Sequence, residues 1–260
     1  MGVSVVNKEF IIEGFEGVNI GRPVVVTIGS FDGVHCGHRV LIQRAKAMAS
    51  RLGCATAVVT FDPHPRIAMG RGEGMGLLTT LGERALLLRR EGVDYMVVAK
   101  FDEAFRQQHY ADFVANSLVS GLGMRGMIVG YNHRLGRGSE GSYATLLPLS
   151  ERYGFDIECV DQHTLQGAKV SSTVVRNLIL EGDMSRVCEL LGRGYIVMGH
   201  ARHGVLELSS THKLLPPSGR YVVDVDSRGV ATAAVATIEG RSVVLDVPLS
   251  GDVVLSFNGR

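Results

Sequence analysis

The chain has 260 residues, a formal net charge of +1 and 45% hydrophobic residues. That length accommodates one sizeable α/β core plus a small second unit. The near-neutral charge gives no electrostatic reason to expect a nucleic acid or an anionic membrane as partner, and the apolar runs are strand-sized, too short to span a bilayer. Met1 to Phe15 contains acidic residues and no continuous apolar stretch of signal-peptide type, and Cys36, Cys54, Cys159 and Cys188 lack metal or redox spacing. Both features are those expected of a cytoplasmic protein with reduced thiols.

Taken in chain order, residues 24–28 (Val-Val-Val-Thr-Ile) predict a buried strand. Residues 39–52 predict a helix, because Leu41, Ile42, Ala45, Met48, Ala49 and Leu52 recur at helical spacing. Between them lies Gly29-Ser30-Phe31-Asp32-Gly33-Val34-His35-Cys36-Gly37-His38, a strand-to-helix turn. Further strands are expected at 55–61, 95–99, 127–129 and 155–160, with helices at 82–91, 110–118 and 142–152. Continuous Val/Ile runs separated by amphipathic helices imply parallel strands covered on both faces. Right-handed crossovers then predict an α/β fold with a doubly wound parallel sheet, binding its ligand at the carboxyl ends of the strands.

Two more helices are expected at 172–180 and 184–191, broken by Gly182-Asp183. The texture changes after Gly192. Short β-type runs at 195–199, 220–226, 231–237, 243–247 and 252–257 alternate with Pro- and Gly-containing turns. These predict a small antiparallel β unit over residues 192–260, following an α/β domain over residues 1–191.

Chemistry concentrates in the turn at 29–38. A helix start presents free backbone N–H groups and a positive dipole end, which favour bound phosphate. Two imidazoles beside such a site can donate hydrogen bonds to phosphate oxygens as charge moves during reaction. His-x-Gly-His alone is a weak motif; preceded by Gly-x-Phe-Asp-Gly directly after a strand, it is a specific one. Zinc is the other reading of two histidines, but the turn is neither a His-Glu-x-x-His helix nor near a Cys-x-x-Cys pair. No metal ligand is assigned.

Three later segments are weaker candidates. Thr60-Phe61-Asp62-Pro63-His64-Pro65 ends the second predicted strand, and its prolines stiffen a loop that either flanks a planar ligand or is simply rigid. Residues 130–138 (Gly-Tyr-Asn-His-Arg-Leu-Gly-Arg-Gly) follow the fourth strand. They read as a polar binding loop, with Arg134 and Arg137 as bidentate phosphate ligands, or as a solvated basic loop. Val170-Ser171-Ser172-Thr173-Val174-Val175-Arg176 begins a helix, with a serine as N-cap and Arg176 one turn in. It is either a plain capped helix or a second phosphate-binding helix start.

These four segments, in this order, resemble the FMN adenylyltransferase module of bacterial bifunctional riboflavin kinase/FMN adenylyltransferases, the FAD synthetases. The resemblance runs from about Pro23 to Tyr195 and rests on Gly-x-Phe-Asp-Gly-Val-His-x-Gly-His, Thr-Phe-x-Pro-His-Pro and Ser-Ser-Thr-x-x-Arg. It implies a nucleotidylyltransferase, Rossmann-like fold and the reaction of ATP with FMN to give FAD and pyrophosphate, with Mg²⁺ chelated by the substrate. It further implies His35, His38 and Arg176 as the catalytic set. Gly29, Ser30, Phe31, Asp32, Gly37, Ser171, Ser172 and Thr173 are implied to bind ATP and its departing pyrophosphate. Phe61, Pro63, His64, Pro65, Asn132 and Arg134 are implied to lie on the flavin side. The expected partners are small-molecule nucleotides.

Two departures stand out. The family's loop after the fourth strand usually reads Gly-x-Asp/Asn-Phe-x-Phe-Gly, whereas here His133 and Leu135 replace both aromatics. The riboflavin kinase barrel normally carries a Pro-Thr-Ala-Asn segment, and here Val205 to Thr211 runs on to Lys213-Leu214-Leu215-Pro216 instead. The expectation is a truncated, degenerate kinase domain without kinase activity. Two alternatives stay open: a non-catalytic flavin-nucleotide-binding paralogue, and a nucleotidylyltransferase for another phosphorylated acceptor.

Overall fold

The computed structural model describes residues 10–259 apart from 71, 73 and 166. Six strands form a sheet in which every pairing is parallel: β1 (Ile11–Glu13), β2 (Val24–Ile28), β3 (Ala55–Asp62), β4 (Tyr95–Lys100), β5 (Met124–Gly130) and β6 (Asp156–Val160). Their order is β1-β4-β3-β2-β5-β6. All five residues of β2 are buried, as befits a central strand covered on both faces. β3 and β4 lie to one side of β2 and β5 and β6 to the other, so strand order reverses at β2 and opens a crevice at its carboxyl end.

The helices that cover this sheet are α1 (Cys36–Leu52), α2 (Pro65–Ala68), α3 (Leu81–Arg90), α4 (Glu103–Gln107), α5 (Tyr110–Asp112, continued by a π-helical stretch Phe113–Gly121) and α6 (Tyr143–Tyr153). α1 buries Ile42, Ala45, Met48 and Ala49, the centre of the predicted stripe, and stops where Gly53 takes a left-handed φ of 64°. The predicted strands are all present. β1 was not expected, because three residues on a sheet edge are too few to show periodicity.

After β6 the chain makes a two-stranded ladder, β7 (Thr164–Leu165) with β8 (Ala168–Lys169), then α7 (Ser172–Glu181) and α8 (Met184–Leu191). β9 (Tyr195–Arg202), β10 (Val205–Leu208), β11 (Gly219–Ser227), β12 (Val230–Glu239), β13 (Ser242–Leu245) and β14 (Gly251–Phe257) then form a closed antiparallel barrel in the order β10-β13-β12-β11-β14-β9, with β9 pairing to β10. Closure removes the free strand edges that an open sheet of this size would expose. β10 escaped sequence detection because it is four residues long and its first residue, Val205, is exposed.

The barrel interior (Val197, Val223, Val225, Ile238, Leu255 and Phe257 among others) is continuous with Val175 and Ile179 of α7 and Val187, Leu190 and Leu191 of α8. The change in sequence texture at residue 192 is therefore not a packing boundary, since α7 and α8 share their apolar core with the barrel.

A buried ion pair joins the two units. Lys213, from the β10–β11 connection, places Nζ 2.8 Å from Glu83 Oε2, with both side chains at most 1% exposed. Nζ also donates to Leu78 O (2.6 Å) and Ile196 O (2.7 Å), which uses all three ammonium protons. Glu83 in turn accepts from Thr80 N and from Met198 N, each at 2.8 Å. Burial pushes the Lys213 ammonium's pKa down, and Glu83 opposes that shift. No helix among the described residues is long and apolar enough to cross a membrane.

Candidate active site

The turn that leaves β2 runs through the left-handed region three times, at Phe31 (φ 47°), Gly33 (φ 84°) and Val34 (φ 40°). Phe31 and Val34 pay a steric cost there that glycine avoids, and such backbone persists only where its surroundings over-determine it. The surroundings do so. Phe31 and Val34 are buried, Gly33 N donates to Thr79 Oγ1 (3.0 Å), and Val34 N donates to Phe31 O (3.1 Å). A Cβ on Gly33 would lie 2.8 Å from Leu78 Cδ1.

His35 is the N-cap of α1: its Nδ1 accepts from His38 N at 3.3 Å. That bond leaves the proton of a neutral His35 on Nε2. The His35 and His38 rings stack with centroids 3.7 Å apart and planes 12° from parallel, and Phe31 leans on His38 at 4.8 Å. Stacked rings face each other and do not converge their nitrogens on one point. Gly37 lets the rings approach, because a Cβ there would sit 3.2 Å from the His35 ring.

Asp32 is fully buried behind this turn and is the hub of the site. Oδ1 accepts from Thr79 N (2.8 Å) and Thr79 Oγ1 (3.1 Å), and Oδ2 accepts from Leu78 N (3.2 Å) and Arg176 Nη2 (2.8 Å). Arg176 Nε also donates to Gly76 O (2.8 Å), so its guanidinium is aimed by two fixed acceptors. The start of α7 is tied to the same turn: Ser171 caps it by accepting from Val174 N, and Ser172 Oγ donates to Asp32 O at 2.9 Å.

These pieces enclose a cleft of about 390 Å³ at the carboxyl ends of β2, β5 and β6. Of the predicted site residues, Gly29, Ser30, Phe31, His35, Gly37, His38, His64, Asn132, Ser171, Ser172, Thr173 and Arg176 line it. Asp32 stands behind the wall. Phe61 is turned into the core, where it packs against Phe101 and Phe105. Pro63 and Pro65 are absent from the lining; Pro65 opens α2, which His64 caps by accepting from Arg66 N at 3.2 Å. Arg134 is exposed and folds back to donate to His133 O.

The cleft also takes in His133 of the loop read as a polar binding segment, and recruits residues not expected from sequence, among them Arg66, Asp161, Gln162, His163 and Lys169. Asp161, Gln162 and His163 directly follow β6. The rule that ligands bind at strand carboxyl ends, applied to that strand, would have found them. Of the two replaced loop aromatics, Leu135 is buried in the sheet core and only the His133 position faces the cleft.

Burial holds four imidazoles of the site below the usual histidine range. Burial pushes His35 down to about 4, with Asp32 partly offsetting it, and pushes His64 and His133 to about 4 as well. Burial, then neighbouring His35, holds His38 well below the usual range. At pH 7 these groups act as hydrogen-bond donors and acceptors, not as cations.

The depressed values have a stability consequence. The unfolded chain takes up protons at these histidines near pH 6.5 while the folded chain resists until about pH 4. The stabilisation is therefore full above about 6.5 and is lost as pH falls through that window. The thermal midpoint, followed by circular dichroism, is expected to drop progressively between those pH values, and a flat profile would contradict the burial of these rings.

Comparison with known proteins bears on the same residues. The model of the FAD synthetase family matches residues 18–174. The chain belongs to that family. It is similar to the bifunctional riboflavin kinase/FMN adenylyltransferase of Escherichia coli K12, at 31% identity over 91% of this chain and 80% of that protein. It is likewise similar to the protein of the same description from Pseudomonas fluorescens (33%, covering 86% and 75%) and to that from Listeria monocytogenes (35%, covering 69% and 57%). The matches thus span 57% to 80% of these relatives' lengths. Among solved structures, a Streptococcus pneumoniae protein described as a macrolide-efflux protein superposes with a TM-score of 0.81 at 24% identity, covering 96% of this chain and 89% of that one. At that identity the likeness is one of fold.

In this FAD synthetase-family chain the matched segment runs from before β2 to the first turn of α7, and so takes in the histidine turn and Ser171 to Thr173, ending two residues before Arg176.

Proposed function

We propose that the chain transfers the adenylyl group of ATP to FMN, giving FAD and pyrophosphate, and that it has no riboflavin kinase activity. The observation that carries the first part is the joining of two phosphate-binding walls, the histidine turn and the start of α7, by the Asp32–Arg176 pair around one cleft. A phosphate oxygen of FMN forms a bond to the α-phosphorus of ATP as the bond to the α,β-bridging oxygen breaks, and pyrophosphate departs with the negative charge. No protein nucleophile takes part. Mg²⁺ enters bound to ATP.

In this reading His35 Nε2–H donates to the reacting phosphates. His38, whose Nδ1 is buried and lacks a protein partner, offers a further polar contact. Arg176, the free N–H groups at the start of α7 and the hydroxyls of Ser171 and Thr173 hold the leaving pyrophosphate, while the Ser172 hydroxyl is committed to Asp32 O and contributes its N–H. His64, Asn132 and His133 line the acceptor side. The substrates are soluble nucleotides, and we assign the reaction to the cytoplasm.

Support for the missing kinase comes from what replaces its nucleotide segment. Lys213 is occupied by Glu83, Leu214 and Leu215 are buried, and Leu214 N donates to Leu77 O at 2.9 Å. The stretch is committed to holding the barrel against α3 and the segment before it.

One assay tests both parts. Protein, Mg²⁺, ATP and FMN are expected to yield FAD and pyrophosphate in equal amounts, with a loss of about 10²–10³-fold in His38→Ala. Riboflavin with ATP is expected to yield no FMN. Tight flavin binding without turnover would favour a non-catalytic binder; pyrophosphate release only with a different phosphorylated acceptor would favour another transferase.

A further inference from the structure

We propose that Arg193, which links α8 to the barrel, is a positioning residue for adenylyl transfer that holds the histidine turn in its left-handed shape. This rests on the reaction proposed above. Arg193 lies outside the motifs that mark the site and outside the lining of the cleft. Its guanidinium nevertheless reaches the turn from behind: Nη2 donates to Gly33 O at 2.6 Å, and Nη1 donates to Val34 O at 3.1 Å and to Leu191 O at 3.0 Å.

Gly33 and Val34 are two of the three left-handed residues of the turn, and Val34 O belongs to the peptide unit that leads into His35. A planar fork bonded to both carbonyls fixes the orientation of two successive peptide planes, which a single-point contact does not. Those planes set where the His35 ring stands, and His35 in turn stacks on His38. The other ties on the turn act at different atoms. Thr79 Oγ1 takes Gly33 N, and Ser172 Oγ donates to Asp32 O. Arg193 thus secures a face of the turn that neither of these reaches.

The guanidinium is itself firmly placed. Gly192 (φ 66°) ends α8 so closely against α1 that a Cβ would lie 2.6 Å from Arg39 Nη1. A Cβ at Gly194 would overlap Ser256 and Asn258 at the end of β14. The backbone on either side of Arg193 is therefore wedged between α1 and the barrel. Burial lowers its pKa to about 10, which leaves it cationic at neutral pH, and its Nε is buried without a partner. A charged group held under those conditions for three carbonyl contacts is costly to keep, which fits a role at the site better than a role in general stability.

The consequence is that the barrel region contributes to the adenylyl-transfer site from a distance. The test uses full-length Arg193→Met and Arg193→Lys, with FAD formation and the imidazole NMR signals of the histidines as readouts. Arg193→Met is expected to lower kcat by about 10–100-fold while KM for FMN changes by less than about two-fold. Arg193→Lys, with one ammonium in place of the fork, is expected to fall between the two. The His35 and His38 signals are expected to move while those of His64 and His200 stay. A kcat within about two-fold of the starting protein, with His35 and His38 signals unmoved, overturns the proposal. Equal shifts at all four histidines do so too, because they report general loosening. If Arg193→Met does not fold, Arg193→Lys decides alone. Absence of FAD formation by the unaltered protein would overturn the reaction, and the histidine signals would still decide whether Arg193 positions the turn.

Discussion

Arg176→Met is expected to abolish FAD formation and to lower the stability of the fold by about 3–5 kcal/mol. Both effects follow from one geometry. The Arg176 guanidinium lines the cleft and simultaneously pairs with the fully buried Asp32 carboxylate at 2.8 Å. Removing it takes away the cation assigned to the leaving pyrophosphate and strands a buried negative charge. The Thr79 and Leu78 N–H groups still reach Asp32, but amides alone do not replace a cation in a site without solvent. Pyrophosphate release measures the loss of activity and urea unfolding the loss of stability. The double variant Asp32→Leu with Arg176→Met separates them, since stability is expected to recover in large part while turnover is not. Full turnover in Arg176→Met would remove this residue from the reaction.

Lys213→Met carries the second large effect, through stability. Glu83 would keep its bonds from Thr80 N and Met198 N but lose the buried ammonium that stands 2.8 Å from its Oε2. The expected cost is about 3–5 kcal/mol, which for a chain of this size lowers the thermal midpoint by roughly 10 °C. Glu83→Gln in the same background is expected to restore part of the loss, because it removes the buried charge and its single amide oxygen still accepts from one of those two N–H groups, which donate to different oxygens of the carboxylate. Replacing Glu83 by leucine is expected to restore less, since both N–H groups would then be buried without partners. Calorimetry on the three variants gives the order. An unchanged midpoint in Lys213→Met would mean that the pair contributes nothing to holding the barrel in place. The same segment, Gly76 to Thr79, also supports Asp32 and Arg176, so these two predictions meet in one stretch of backbone.

Much of the sheet and of the cleft was legible in the chain itself. β2 to β5 are mostly apolar and buried, and α1 carries an unbroken stripe, so local pattern and final burial agree there; the edge strand β6 (Asp-Ile-Glu-Cys-Val) is only partly buried. The histidine turn and the Ser171–Arg176 helix start were legible because their residue types are unusual at those positions. β1 and β10 were not legible, being three and four residues long and stabilised by partners far away in sequence. Phe61 was assigned to the ligand and belongs to the core, because a strand's last aromatic points to one face or the other and only the packing of Phe101 and Phe105 chooses.

Fold class, the order of the strands along the chain and a strand-to-helix turn carrying two histidines were all legible in the chain alone. They were so because period, glycine placement and helix capping are local properties. What stands behind that turn is set by long-range packing. Asp32 lies 144 positions from Arg176, Glu83 lies 130 from Lys213, and Arg193 lies 160 from Gly33. Each of these buried charges needs a partner because the interior solvates ions poorly, and no local pattern announces which distant residue will supply it. The histidine turn is readable in ten consecutive residues. Its shape is held by cations from α7 and from the segment that enters the barrel.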